Sequence, residues 1–196
     1  MRLTGARALG QCATYINGRL LLKFKFTTLL PAADVLYSIQ VLHCLNGNPR
    51  VVNFAGIIVD SKHRNLTGYL LDNLSSKYKE ALLYESFKEG NIISWAQRER
   101  WGTQIVEGVC HVHSKGFVVG MLASGGRDNL AVRINGIMNE AMLFSFRNKL
   151  DKNERDKGFM PPEYRPVTEV PQRRLVHRET VDVTPHTDIF HLGMVL

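Results

Sequence analysis

The sequence predicts an α+β chain with a strand-rich first third and a mainly helical remainder. Three observations predict it. Asn17-Gly18 sits between two runs of strand-forming residues, where a two-residue hairpin needs positive φ angles. Up to Asp72, apolar residues alternate or are β-branched in short runs, interrupted by one helical stretch. From Ser75 onward the period becomes helical, most clearly at Trp101, Ile105, Val109 and Val112.

Taken in order, residues 12–26 read as a hairpin. In its second arm Leu20, Leu22, Phe24 and Phe26 face one way, and Leu21, Lys23 and Lys25 the other. Pro31 opens a helix over 32–45 with Leu36, Ile39, Leu42 and Leu45 as its apolar face, and Asn46-Gly47 and Pro49 close it. Strands are expected next at 51–60 and 66–72. A short helix is expected over 78–88 and a longer one over 93–113, ended by Gly116. A short strand is expected at 117–119, then a loop at Gly125-Gly126. Strands 130–134 and 141–146 flank Asn135-Gly136. Residues 147–158 read as charged and irregular, and the prolines at 161, 162, 166, 171 and 185 break most of the stretch they span. The last ten residues read as the first turns of a buried helix.

Composition narrows the function classes. Hydrophobic content of 44% and charged content of 22% are those of a globular chain. No apolar run is long enough for a bilayer-crossing helix. The three cysteines, Cys12, Cys44 and Cys110, are scattered, with no C-x-x-C pair, so neither a zinc ribbon nor a disulfide framework is expected; a reducing, intracellular compartment, cytoplasmic or nuclear, fits them. The first 33 residues lack acids and carry Arg2, Arg7, Arg19, Lys23 and Lys25, as a transit peptide would, but contain no serine. The net charge of +7 raises nucleic acid as a partner, but no aromatic interleaving supports base stacking, and a solvated basic face is the favoured reading. His111 and His113 are spaced i, i+2, so on a helix their side chains diverge by about 200° and do not form a metal pair.

Several stretches, in order, carry a family resemblance. Residues from Trp101 through His113 to Val119 resemble the helix and strand leading into the catalytic loop of protein kinases. Met160-Pro161-Pro162-Glu163 is similar to the A-P-E sequence that closes a kinase activation segment. Residues 187–196 resemble the D-x-W-S-x-G helix of the large lobe. The resemblance implies a protein-kinase-like bilobal fold truncated at both ends. Residues 1–74 would form a partial small, β-rich N-lobe with its hinge, and 75–196 a partial, mainly helical C-lobe. Cut off there, Ile189, Leu192, Val195 and Leu196 are expected to lack cover, leaving a marginally stable or partner-dependent chain.

The same resemblance assigns positions one by one. The lysine that holds nucleotide phosphates falls on Lys23, with Lys25 as the register alternative. Leu21 stands where the family usually has alanine, and the adenine hinge falls at Leu71 and Asp72. Ser38 replaces the helix glutamate that would pair with the lysine. Met121 replaces the catalytic aspartate, Gly120 the loop arginine, and Ser145 the metal-binding aspartate. Asn129 matches the metal-binding asparagine, with Asp128 and Glu140 as the surrogate carboxylates nearby. Gly5 and Gly10 lack the G-x-G-x-x-G spacing, and no Ser, Thr or Tyr lies between Ser145 and Glu163 to be phosphorylated. Packing positions are retained: Leu42, Phe54, Val119 and Phe146 match four side chains stacked between the lobes, while Glu163 and Asp188, the latter bracing the catalytic loop, match structural acids. Lost chemistry with retained packing implies a pseudokinase: weak or no ATP binding, no magnesium, and a protein partner for which it acts as a scaffold. A weak unconventional kinase using Lys23 and Asn129, and a basic nucleic-acid-binding protein, are the alternatives.

Overall fold

The computed structural model describes residues 10–16, 19–25, 32–60, 62, 65–72, 94–120, 122, 132–135, 139–151, 161–164 and 180–195. The expected α+β class is what these residues form. Strands β1 (Gly10–Ile16) and β2 (Arg19–Lys25) pair antiparallel, with Ile16 opposite Arg19, as a two-residue connection through Asn17-Gly18 requires. Strand β3 (Phe54–Val59) pairs with β4 (Leu66–Asp72), and β4 also pairs with β2. The result is a four-stranded antiparallel sheet in the order β1-β2-β4-β3, which leaves β3 as an edge strand.

Helix α1 (Ala32–Cys44) lies in sequence between β2 and β3. Its buried stripe is Val35, Val41 and Leu42, continued just past its end by Leu45, whereas Leu36, expected on the apolar face, is 57% exposed. One residue is 100° of rotation, so the residue after Val35 is turned off the contact. Past the helix, Gly47 takes φ +88°, and Asn46 and Asn53 accept the N–H groups of Phe54 and Gly47. The expected strand from Val51 therefore starts only at Phe54. Residues 50–52 are engaged elsewhere: Val52 N–H bonds the Leu143 carbonyl, and Leu143 N–H bonds that of Arg50.

Helix α2 (Trp95–Ser114) opens on Ser94, whose hydroxyl accepts the Gln97 N–H, and buries Trp101, Ile105, Val109 and Val112. Hairpin β5 (Val132–Asn135) and β6 (Glu140–Leu143) packs on it. There the buried Gln104 side chain accepts the Ala141 N–H, and Trp101 donates its indole N–H to the Asn139 carbonyl. Strand β7 (Lys149–Asp151) pairs with β8 (Thr180–Asp182), although residues from 147 on are expected to be irregular. A 3-10 turn spans Pro162–Tyr164, and helix α3 (Pro185–Val195) ends the described chain. The helix expected over 78–88 lies outside the described residues, and no described helix is long and apolar enough to cross a membrane.

The main core links α1, β4, α2, β6 and α3, and a smaller cluster joins Val118, Leu150 and Val183. Leu42 of α1, Leu45 just after it, Leu71 of β4, Val109 and Val112 of α2, Leu143 of β6 and Leu192 of α3 belong to a single buried cluster. Leu192, expected to lack cover, is therefore buried, while Ile189 is 57% exposed. Of Val195 only its place in α3 is described, and Leu196 lies outside the described residues.

Candidate functional site

Two stretches without regular structure, 117–120 and 144–147, meet here; Val119, Phe144 and Phe146 enter the main core and Val118 the smaller cluster. The strand expected at 117–119 does not form, because its backbone groups are taken by side chains and by a helix end. Phe117 N–H bonds the Val112 carbonyl at the end of α2. The Tyr37 hydroxyl accepts the Val118 N–H at 2.8 Å and donates to the Val118 carbonyl at 2.9 Å. The Asp188 carboxylate accepts the Val119 N–H on one oxygen and the Gly120 N–H on the other, both at 2.8 Å. Val119 uses its carbonyl to accept the Arg147 N–H at 2.9 Å. With N–H groups committed in this way, no ladder partner is needed.

Asp188 reaches this position from the first turn of α3, which the chain prepares locally. Pro185 opens the helix with its φ already suitable and no N–H to satisfy. Thr184 and Thr187 cap it reciprocally, each backbone N–H pointing at the other's hydroxyl. Asp188 itself is fully buried, and His113 Nε2 lies 2.8 Å from the oxygen that also takes the Val119 N–H. A carboxylate only accepts, so the imidazole donates here. With donors on both oxygens the buried charge is compensated, and the group holds backbone in place.

Gly120 is a glycine for two reasons. Its φ is +97°, and a Cβ built there would lie 2.1 Å from the Arg147 carbonyl oxygen. The arginine that the kinase resemblance places at this position cannot take up this backbone.

Ser38, to which the kinase resemblance gives a glutamate position, donates its hydroxyl to the Phe146 carbonyl at 2.6 Å and so holds main chain. Leu42, Val119 and Phe146 are wholly buried in the main core, and Phe54 packs half-buried against that core. Ser145 is half-buried between the buried Phe144 and Phe146, and Glu163 is exposed on the 3-10 turn. Leu21 is buried on β2, opposite Thr14 and Asp72, and the Lys23 backbone lies opposite Cys12 and Leu70. Only the strand positions of Lys23 and Lys25 are described; their side chains, and all of Met121, Asp128 and Asn129, lie outside the described residues.

The expected hinge pair differs from a free backbone edge. Leu71 is fully buried inside the central strand β4, and Asp72 already donates its N–H to the Asn53 carbonyl at 2.9 Å. Glu140 lies 3.7 Å from Arg50 and from Arg100, in an ion-pair group that also includes Glu107. Among the described residues no three His, Cys, Asp or Glu side chains converge as metal ligands.

Burial acts on Tyr37 and Asp34 of α1. Burial raises the Tyr37 phenol pKa, the bond from the Val118 backbone opposes this, and the Asp188 charge adds to the rise. Burial also raises Asp34, against the pull of Arg147 and Lys149.

The sequence matches no family model and no curated protein.

Reading the residues in order missed Tyr37, which nothing in its neighbourhood marks as a partner for Val118. The available signal was a tyrosine bordering the buried helix stripe, since a buried phenol needs a bond for its hydroxyl.

Proposed function

We propose that the chain is a protein-kinase-like domain that does not transfer phosphate and works as a binding or scaffolding module. One observation carries this reading. The hub formed by segments 117–120 and 144–147 is held by hydrogen bonds, and the carboxylate that bonds its backbone, Asp188, is buried with both oxygens engaged by donors. A group so held cannot take a proton from a substrate hydroxyl, which must come within hydrogen-bond reach of its base. Ser38 and Ser145 stand at two further positions where phosphoryl transfer would use carboxylates, and Met121 at the third. In support, the residues that the resemblance assigns to packing share one core: Leu42, Val119 and Phe146 wholly inside, Phe54 at its margin. Nucleotide, if bound, would rely on Lys23 and gain little from magnesium, because a serine hydroxyl is a poor ligand for that ion.

The test is a melt of the purified chain with ATP, with and without magnesium, run beside transfer of radiolabelled phosphate to a general protein substrate. No incorporation above background, and no magnesium-dependent rise in melting temperature, is the expected result. Incorporation that disappears in Lys23→Ala would replace this reading with that of a weak kinase. Salt-sensitive binding of labelled RNA with no response to ATP would replace it with that of a nucleic-acid-binding protein.

A further inference from the structure

We infer that the adjacent hydroxyls of Tyr37 and Ser38 form a latch that ties α1 to the two central segments, so that α1 and residues 117–120 open as one unit. The latch stands on the bonds themselves and holds whether or not the chain binds nucleotide.

Neighbouring helix residues point about 100° apart, so two adjacent side chains can reach two different segments. Tyr37 takes both backbone groups of Val118, and Ser38 takes the carbonyl of Phe146. The two segments are themselves joined, Arg147 N–H to Val119 carbonyl. Any rotation or sliding of α1 therefore breaks three bonds at once and exposes the Val118 N–H and carbonyl in a buried site. The ring of Tyr37 adds an edge-on contact with Phe117, 6.1 Å between centroids, which a Phe variant retains.

Because 117–120 belongs to no sheet ladder, side-chain bonds from two directions fix it: Tyr37 from α1 and Asp188 from α3. Losing one anchor should loosen the grip of the other. The latch bonds join neutral groups, so salt should not weaken them, unlike an ion pair at the same place.

Amide hydrogen exchange on the full chain tests this, using Tyr37→Phe, Ser38→Ala and the double variant. The reporters are the amides of 36–44 in α1 and those of Val119 and Gly120, which bond Asp188 and not Tyr37. In the wild type both sets should share one opening free energy, and in Tyr37→Phe both should exchange faster, by about 10- to 100-fold, the factor expected when buried backbone groups lose their partner. Amides of 105–112 in α2 should stay within about twofold of wild type. Ser38→Ala should show the same pattern more weakly, and the ratios should be equal at low and high salt. Acceleration in α1 with Val119 and Gly120 unchanged would overturn the coupling. Equal acceleration in α2 would overturn the latch in favour of general destabilisation. If Tyr37→Phe does not fold, Ser38→Ala decides by the same two criteria.

Discussion

Replacing Asp188 with alanine removes one side chain from the first turn of α3 and leaves three groups without their acceptor: the Val119 N–H, the Gly120 N–H and His113 Nε2. Val119 and Gly120 are buried, so water cannot readily replace the carboxylate. A hydrogen bond to a charged group contributes about 1.5–3 kcal/mol, and an unsatisfied buried donor costs about 1–3 kcal/mol. Breaking a buried charged cluster from one side costs about 3–5 kcal/mol, and that is the loss expected here. Global stability for a domain is about 5–15 kcal/mol, so roughly a fifth or more of it is at stake. For a chain of this size each kcal/mol moves the melting temperature by about 2–4 °C, which predicts a fall of roughly 6–20 °C. Asp188→Asn is isosteric but presents an NH₂ where one oxygen now accepts, so it should recover only part of the loss. Thermal and urea unfolding of both variants, with His113→Ala and the double variant to complete a cycle, measure this. The cycle should show coupling between His113 and Asp188 of about 1 kcal/mol or more, as expected for groups in one network. A melting temperature for Asp188→Ala within about 2 °C of wild type would refute the claim that this carboxylate holds the hub together.

Other parts of the structure set three further outcomes. Gly120→Ala combines a positive φ with a methyl 2.1 Å from a backbone oxygen, so it should destabilise well beyond the ~1–2 kcal/mol of Gly47→Ala, where φ is also positive but the space is open; equal effects in urea unfolding would contradict this. Leu42→Ala, at a wholly buried position, should cost about 2–5 kcal/mol by the same measurement, against less than ~0.5 kcal/mol for Leu36→Ala on the exposed side of α1. The Tyr37 phenol has its pKa raised above the ordinary 10.0, so the folded state keeps a proton that the unfolded chain releases from about pH 10 upward. Its contribution is therefore complete below pH 10 and declines as pH rises through the folded-state value, and the stability gap between wild type and Tyr37→Phe should be flat from about pH 8 to 9.5 and narrow above 10; a gap that widens there would reverse the sign of the argument.

Local pattern alone was enough for elements that carry their own signals. Helix α1, strand β4 and helix α2 fall within about two residues of where periodicity and end signals put them, because capping, Asn-Gly turns and an apolar stripe act over a few neighbouring residues. The sequence by itself also determined the α+β class and the buried stripe of α2. Only the tertiary structure decided what lay between distant segments. Residues 117–119 have strand-forming composition, yet Tyr37 and Asp188 claim their N–H groups from 81 and 69 residues away, and no local rule counts such partners. Strand β7 looked irregular because its partner β8 lies beyond a proline-rich stretch. Leu36 reads as apolar and core-facing, but which 100° sector of α1 is covered depends on the elements docked there. The same holds at the hub: the residue types at 37, 38, 113, 120 and 188 are visible in the sequence. Only the fold brings their hydroxyls, imidazole and carboxylate within about 3 Å of the backbone or of one another, and hydrogen bonds act only over that range.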